Sequence, residues 1–256
     1  MRIALIFSGG GAKGAYQIGA WRALIDSGVS KYIKTISATS IGAINAILCT
    51  TYNEDYVINF WLNLTREKIA PIVFKDIINM LRRQSICSKE NLISLISQIL
   101  DYDTIKDSDI DILVTCSNLK FGYPKREVFN LKKNLDNAVD IVAATCSIPC
   151  VFKHQKINGN GIYFDGGINS RTPIDALDKD LFDYIIVIHN DNLGRLNFIK
   201  YSGNNIINIY PSSFQGLIFT GTYGFVNNIV DNKIQKGYKD TINIIKRYGL
   251  DRGLNE

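Results

Sequence analysis

The amino-acid sequence predicts an α/β fold with three layers, α/β/α, around a mainly parallel central sheet. Short apolar runs alternate with segments of helical periodicity along the chain, an order typical of β-α-β units. A chain of 256 residues, 46% of them apolar, can bury a core of this size. Because no internal repeat, low-complexity tract or long linker interrupts the pattern, we predict one domain over residues 1–256.

The predicted strands are short, β-rich and bounded by turn residues. The clearest are Arg2–Ser8, Ile33–Ala38, Ile110–Cys116 and Tyr184–His189, and weaker ones are Arg126–Leu131, Gly161–Phe164 and Ile206–Tyr210. The predicted helices are Ala12–Ser27, Ile41–Thr51, Phe74–Arg83, Lys89–Leu100, Asp136–Thr145 and Phe225–Tyr248.

The longest departure from strict alternation is a helical insertion over residues 53–108, in which we predict two amphipathic helices. The first, Phe74–Arg83, has an apolar face with basic residues beside it. We expect it to pack on the sheet or over the pocket, although a basic amphipathic helix could also lie on a membrane surface. Its apolar residues are Phe74, Ile77, Ile78 and Leu81, and its basic residues are Lys75, Arg82 and Arg83.

Charge and cysteine usage set broad limits on compartment and partners. The net charge of +5 is compatible with an anionic membrane surface, but it is too mild to indicate nucleic-acid binding. Five scattered cysteines fit reduced thiols, and neither a signal peptide nor a membrane-spanning run is evident, so we expect a cytoplasmic protein. The lysine clusters are interpreted as solvated faces: Lys31/Lys34, Lys132/Lys133 and Lys233/Lys236/Lys239.

A glycine-rich loop, Gly9-Gly10-Gly11-Ala12-Lys13-Gly14, follows the first predicted strand and opens a helix. It matches G-x-G-x-x-G, yet the second strand ends without the acidic residue that a dinucleotide site needs. A P-loop fails as well, because Lys13 precedes the last glycine. Either the loop is a tight turn, or its backbone N–H groups bind negative charge, for which an oxyanion suits as well as a phosphate.

A second motif, Ala38-Thr39-Ser40-Ile41-Gly42, joins the second strand to a helix of small residues. This strand–turn–helix context is the one that a G-x-S-x-G nucleophile elbow requires, with Ala38 in place of the first glycine and Gly42 as the last. The alternative is that Ser40 is an ordinary helix N-cap.

A serine nucleophile needs a base, and only two histidines, His154 and His189, are present. Asp165 ends a short strand in Tyr163-Phe164-Asp165-Gly166-Gly167, where an active-site carboxylate could lie. Taken alone, D-G-G indicates only a turn.

The three motifs, taken in their order along the chain, resemble those of the patatin-like phospholipases. They are G-G-G-x-K-G, then x-x-S-x-G, then D-G-G. The resemblance extends to a small-residue block, Ala144–Phe152, to Pro173 and to a closing helix, Phe225–Tyr248. It therefore covers nearly the whole chain and implies a patatin-like fold.

The resemblance implies a lipid acyl hydrolase with a Ser–Asp dyad, no cofactor and no metal. Ser40 would be the nucleophile and Asp165 the base, while the Gly10 and Gly11 region would supply oxyanion donors, with Lys13 as a nearby positive charge. The substrate would be a lipid or a small ester, with peripheral membrane association possible. Oligomeric state does not follow from the sequence.

Two positions depart from the family pattern. Ala38 stands where the family usually has glycine, and Arg171 where it usually has asparagine, although Asn169 is close enough to substitute. Three alternatives stay open: a Ser40–Asp165–His189 triad, Cys146 as a thiol nucleophile, and a catalytically weak or inactive lipid-binding or regulatory protein.

Overall fold

The computed structural model describes residues 1–69, 87–120, 122–192, 200–216, 221–222 and 224–251. The predicted helix Phe74–Arg83 lies outside these ranges. The extent of the domain, residues 1–256, stays a prediction.

The strands of the described ranges form one eight-stranded mixed sheet with the order β5-β6-β3-β2-β1-β7-β8, and β4 pairs with β3. The pairings among β1, β2, β3, β7 and β8 are parallel, whereas β4 and β6 pair antiparallel with β3, and β5 pairs antiparallel with β6. This arrangement confirms the predicted mainly parallel sheet. The strands are β1 (Ile3–Phe7), β2 (Ile33–Ala38), β3 (Asp111–Lys120), β4 (Tyr123–Asn130), β5 (Gln155–Ile157), β6 (Asn160–Asp165), β7 (Tyr184–Ile188) and β8 (Ile206–Ile209).

Helices flank the sheet, consistent with three layers. Within the described ranges they are α1 (Ala15–Asp26), α2 (Ile41–Thr51), α3 (Glu54–Leu62), α4 (Arg66–Ile69), α5 (Glu90–Ile99), α6 (Tyr102–Asp107), α7 (Ala138–Thr145), α8 (Gly167–Ser170) and α9 (Asn227–Tyr248). No helix in these ranges has the length and apolarity needed to cross a bilayer.

The central strand β1 is buried on both faces. Ile3, Leu5 and Phe7 join the larger core cluster, while Ala4 and Ile6 join a smaller one on the opposite side. Side chains alternate along a strand, so a fully apolar strand packs against both outer layers. The same burial explains why the sequence predicts this strand so clearly.

The prediction of two helices in residues 53–108 was wrong in number. The described part alone contains α3, α4, α5 and α6, of which only α5 was predicted. The N-caps were the missed signal: Asn53 and Asp101 accept hydrogen bonds from the N–H groups of Tyr56 and Thr104. Strand β5 was also missed, because it has only three residues, two of them polar.

Candidate active site

Ser40 occupies a sharp turn between β2 and α2. Its backbone has φ 55° and ψ −129°, a region that residues with a side chain rarely adopt. A hydrogen bond of 2.9 Å from its N–H to Oγ1 of Thr145 supports this conformation, and Thr145 in turn donates to the carbonyl of Thr115 at 2.5 Å. The turn thus has the strained geometry of a nucleophile elbow rather than that of an ordinary N-cap.

Two glycines of the motifs are required by close backbone packing. A Cβ on Gly42 would lie 2.4 Å from the carbonyl oxygen of Phe7, and one on Gly166 would lie 2.0 Å from that of Thr115. Both distances are shorter than non-bonded atoms tolerate. Ala38, in contrast, is an ordinary buried residue of β2, paired with Phe7.

Asp165, at the end of β6, faces Ser40. Oγ of Ser40 donates to Oδ2 of Asp165 at 2.6 Å, and the N–H of Gly167 donates to Oδ1 at 2.7 Å. Both catalytic candidates are buried, with 8% of Ser40 and 7% of Asp165 exposed. The carboxylate is therefore oriented by the D-G-G turn and aimed at one hydroxyl.

The environment of Asp165 makes it a stronger base than a free aspartate. Burial raises its pKa to about 6, and this effect outweighs the hydrogen bonds from Ser40 and Gly167 and the charge of Arg171, all of which lower it. At neutral pH the carboxylate is mostly ionised, yet it is closer in basicity to the imidazole of a histidine than to a solvated carboxylate.

The glycine loop lies against the elbow. A Cβ on Gly9 would be 3.3 Å from Cβ of Ser40, and the N–H of Gly9 donates to the carbonyl of Arg171 at 2.8 Å. Over the part of the chain that the structure describes, the N–H groups of Gly10 and Gly11 have no acceptor. Gly14 closes the turn, and its carbonyl accepts from Nδ2 of Asn45.

Two cations and a second carboxylate, besides Asp165, line the pocket beside this loop. Nη2 of Arg171 is 2.7 Å from Oδ2 of Asp191, and Nζ of Lys13 is 3.9 Å from the same oxygen. Nε of Arg171 also donates to the carbonyl of Gly9 at 3.1 Å. The side chain of Asn169, the other candidate for the family asparagine, donates to the carbonyl of Pro124 at 2.9 Å.

The interpretation of Lys233 as a solvated residue was wrong. Only 5% of it is exposed, and its Nζ lies 3.3 Å from the carbonyl oxygen of Ala12 and 3.2 Å from that of Gly221. The side chain therefore reaches from α9 to the glycine loop. Nothing in the lysine spacing of this helix distinguishes it from its exposed neighbour Lys239.

Two cavities meet at Ser40. A larger one of about 850 Å³ is lined by the glycine loop, Asp165 and the charged residues Lys13, Arg171 and Asp191. A smaller cavity of about 50 Å³ is almost entirely apolar. Its side chains include Ile41, Ile44, Leu92, Ile148, Phe152 and Phe225.

The alternative base, His189, and the alternative nucleophile, Cys146, differ from Asp165 and Ser40 in their contacts and in their tendency to ionise. The ring of His189 is stacked on Tyr210 at 4.1 Å, and its Nε2 lies 2.9 Å from Oδ1 of Asn208. Burial raises the pKa of the Cys146 thiol well above its usual range, which disfavours a thiolate. Among the described residues, no cluster of three or more His, Cys, Asp or Glu side chains could hold a metal ion.

The family model described as patatin-like phospholipase matches residues 5–178, which include the glycine loop, the elbow and Asp165. The chain belongs to the patatin-like phospholipase family. No curated protein matches its sequence.

Solved structures share the fold at low sequence identity. VipD from Legionella pneumophila matches with 13% identity and a TM-score of 0.53, over 96% of this chain and 66% of that one. A chain in the complex of full-length SpcU with full-length ExoU, from the type III secretion system of Pseudomonas aeruginosa, matches with 14% identity and a TM-score of 0.56. That match covers 96% of this chain and 52% of the other, so this chain spans less than two thirds of either relative.

Proposed function

We propose that this patatin-like chain is a serine acyl-ester hydrolase acting on lipid esters, with Ser40 as nucleophile and Asp165 as its only side-chain base. The observation that carries the proposal is the 2.6 Å hydrogen bond from Oγ of Ser40 to Oδ2 of Asp165. A nucleophile must lie within such reach of its base, and the strained turn presents Ser40 at the junction of two cavities.

In the acylation step, Asp165 removes the proton of Ser40 while Oγ attacks the ester carbonyl. A pKa of about 6 leaves the carboxylate ionised at neutral pH and able to accept this proton. The proton then passes to the departing alcohol, which leaves an acyl-serine. In the second half, Asp165 deprotonates a water molecule that attacks the acyl group. This proton passes to Oγ of Ser40 as the carboxylic acid leaves, which regenerates the serine and the ionised Asp165.

The tetrahedral intermediates carry a negative charge on the former carbonyl oxygen. The N–H groups of Gly10 and Gly11, beside Ser40, are suited to donate to this oxygen. Lys13 adds a positive charge near the loop, partly offset by its ion pair with Asp191. Each such donor contributes about 3 kcal/mol to transition-state stabilisation in comparable enzymes.

The two cavities suggest how a lipid ester is oriented. The apolar cavity suits the acyl chain, because it offers almost no polar group to solvate an alcohol. The larger cavity, with its charged wall, suits the alcohol part of the ester. Ser40 borders both cavities, and a nucleophile that attacks the ester carbonyl must lie between the acyl and alcohol parts of its substrate.

The rim of the larger cavity supports peripheral contact with a membrane. Phe214 and Ile168 both line it, yet 74% and 45% of their surfaces are exposed. Large apolar side chains at a pocket entrance insert readily between lipid headgroups. Such contact would bring the site to a lipid surface.

The test is the hydrolysis of a series of nitrophenyl esters with increasing acyl-chain length, together with labelling by a fluorophosphonate probe. Ser40→Ala should abolish both, and Asp165→Asn should reduce turnover at least about a hundredfold. Ser117→Ala is the matched control, since Ser117 is a buried serine as well but its Oγ has no hydrogen-bond partner among the described residues.

Other outcomes would favour the alternatives. Loss of activity in His189→Gln, with the fold intact, would favour the triad. Unchanged labelling in Ser40→Ala would overturn the nucleophile assignment. Vesicle binding without turnover of any ester would indicate the lipid-binding alternative.

A further inference from the structure

Lys233 is a buried cation whose ammonium group contacts backbone carbonyls. Its Nζ is within hydrogen-bond distance of the carbonyl oxygens of Ala12 and Gly221. Within the described ranges, no carboxylate lies within ion-pairing distance of Nζ. A buried lysine is normally paired with an acid, so this environment calls for an explanation.

The charges around Lys233 make its burial more unfavourable. Burial, and to a lesser extent the positive charge of Lys13 on the facing glycine loop, lower the pKa of Lys233 to about 8. On α1, the neighbouring titratable group is Tyr16, whose hydroxyl donates to Asp240 on α9. Lys13 is itself largely buried beside the pocket. Two lysines are thus placed at the glycine loop despite their mutual repulsion.

The two carbonyls that Lys233 contacts belong to adjoining walls of the site. Ala12 lies in the turn Gly11–Gly14, directly after the Gly10 and Gly11 pair. Gly221 precedes Thr222, whose carbonyl oxygen would be only 2.3 Å from a Cβ on Gly11. Thr222 also lines both cavities that meet at Ser40. A single ammonium group therefore links the glycine loop to the segment packed against it.

We infer that Lys233 is a positioning residue of the catalytic site, which fixes the glycine loop so that the N–H groups of Gly10 and Gly11 converge on the oxyanion. Its charge also polarises the loop peptides, because a cation at a carbonyl oxygen strengthens the N–H dipoles of the hydrogen-bonded turn. This inference rests on the proposed hydrolase function. It adds a residue outside the range 5–178 that the family model matches.

The experiment replaces Lys233 with Met, which keeps most of the length of the side chain and removes the charge. We expect kcat for a nitrophenyl ester to fall about tenfold, with KM changed less than about twofold, because the lost contribution acts on the transition state. The rate of fluorophosphonate labelling, which forms a comparable tetrahedral centre, should fall by the same factor. Lys239→Met, at an exposed position of the same helix, should leave both rates unchanged.

Stability separates positioning from a merely structural role. Removing an ammonium group that lacks an acid partner should leave the melting temperature unchanged or raise it, while activity falls. Lys233→Arg, which keeps the charge, should recover part of the lost kcat. Unchanged kcat in Lys233→Met, or a loss of kcat that only follows a loss of folded protein, would overturn the inference. Failure of the proposed function would give a different result from failure of this inference, because the unaltered protein would then show no Ser40-dependent turnover.

Discussion

Oγ of Ser40 donates a 2.6 Å hydrogen bond to Oδ2 of Asp165, although 125 residues separate the two in the chain. The other carboxylate oxygen of Asp165 accepts from the N–H of Gly167, so the carboxylate is oriented from both ends. Burial of the pair raises the pKa of Asp165 to about 6. Reactivity and stability should both depend on this buried carboxylate.

The pH dependence of the reaction should report the ionisation of Asp165. Because the base acts only when ionised, the rate of fluorophosphonate labelling should rise with pH and reach half its maximum near pH 6. A solvated aspartate would give this midpoint near pH 4. Labelling rates between about pH 4 and pH 9 measure it, and a midpoint near pH 4 would contradict the effect of burial.

Asp165→Asn should be more stable than the unaltered protein at neutral pH. A folded-state pKa raised above that of the unfolded chain means that ionisation of Asp165 opposes folding once the pH exceeds both values. The asparagine variant avoids this penalty, so we expect its free energy of unfolding to be higher by about 1–3 kcal/mol at pH 7. Urea denaturation measures the difference, which should vanish below about pH 4, where both residues are neutral.

Arg171→Asn should shift the pH profile. The positive charge of Arg171 lowers the pKa of Asp165, so its removal should move the midpoint of labelling to higher pH. Arg126→Asn is the matched control: its side chain is 38% exposed against 39% for Arg171, and it too pairs with an aspartate, Asp175. An equal shift in both variants would show that the effect is one of net charge.

Thr145→Val should weaken the elbow. The variant removes the acceptor of the Ser40 N–H and leaves that buried donor unpaired, which costs about 1–3 kcal/mol of stability. Movement of the strained turn should also slow labelling about tenfold. Thr241→Val is the control, because this threonine is equally buried and its hydroxyl has no partner in the described ranges. Equal losses in both variants would exclude a specific role for Thr145.

Much of the fold could be predicted because its signals are local. Each of the seven predicted strands overlaps an observed one, and the clearest signals come from β1 and β7, which are apolar along their whole length. The elbow was predictable for a similar reason: Gly42 must be small next to Phe7, and the strand–turn–helix order lies within a few residues. Helices α3 and α6 were not predicted from the sequence, because capping residues, rather than apolar periodicity, indicate where these helices begin.

The charged groups around the site could not be predicted in the same way. The sequence identified Arg171 only as a departure from the family pattern, and its pairing with Asp191 depends on two loops that follow different strands. Lys233 was interpreted as solvated because its spacing matches an exposed helix face. Its burial depends on how α9 packs against α1 and the glycine loop.

The sequence by itself determined the α/β/α class, through the alternation of apolar runs with helical periodicity. It also determined the glycine loop, the sharp turn at Ser40 and the D-G-G turn at Asp165, because each of these depends on backbone constraints within a short segment. The tertiary structure decided which side chains meet. It paired Ser40 with Asp165, Arg171 with Asp191, and Lys233 with the carbonyl of Ala12. Such contacts join distant parts of the chain, and the burial that sets the pKa of Asp165 exists only once the layers have packed around it.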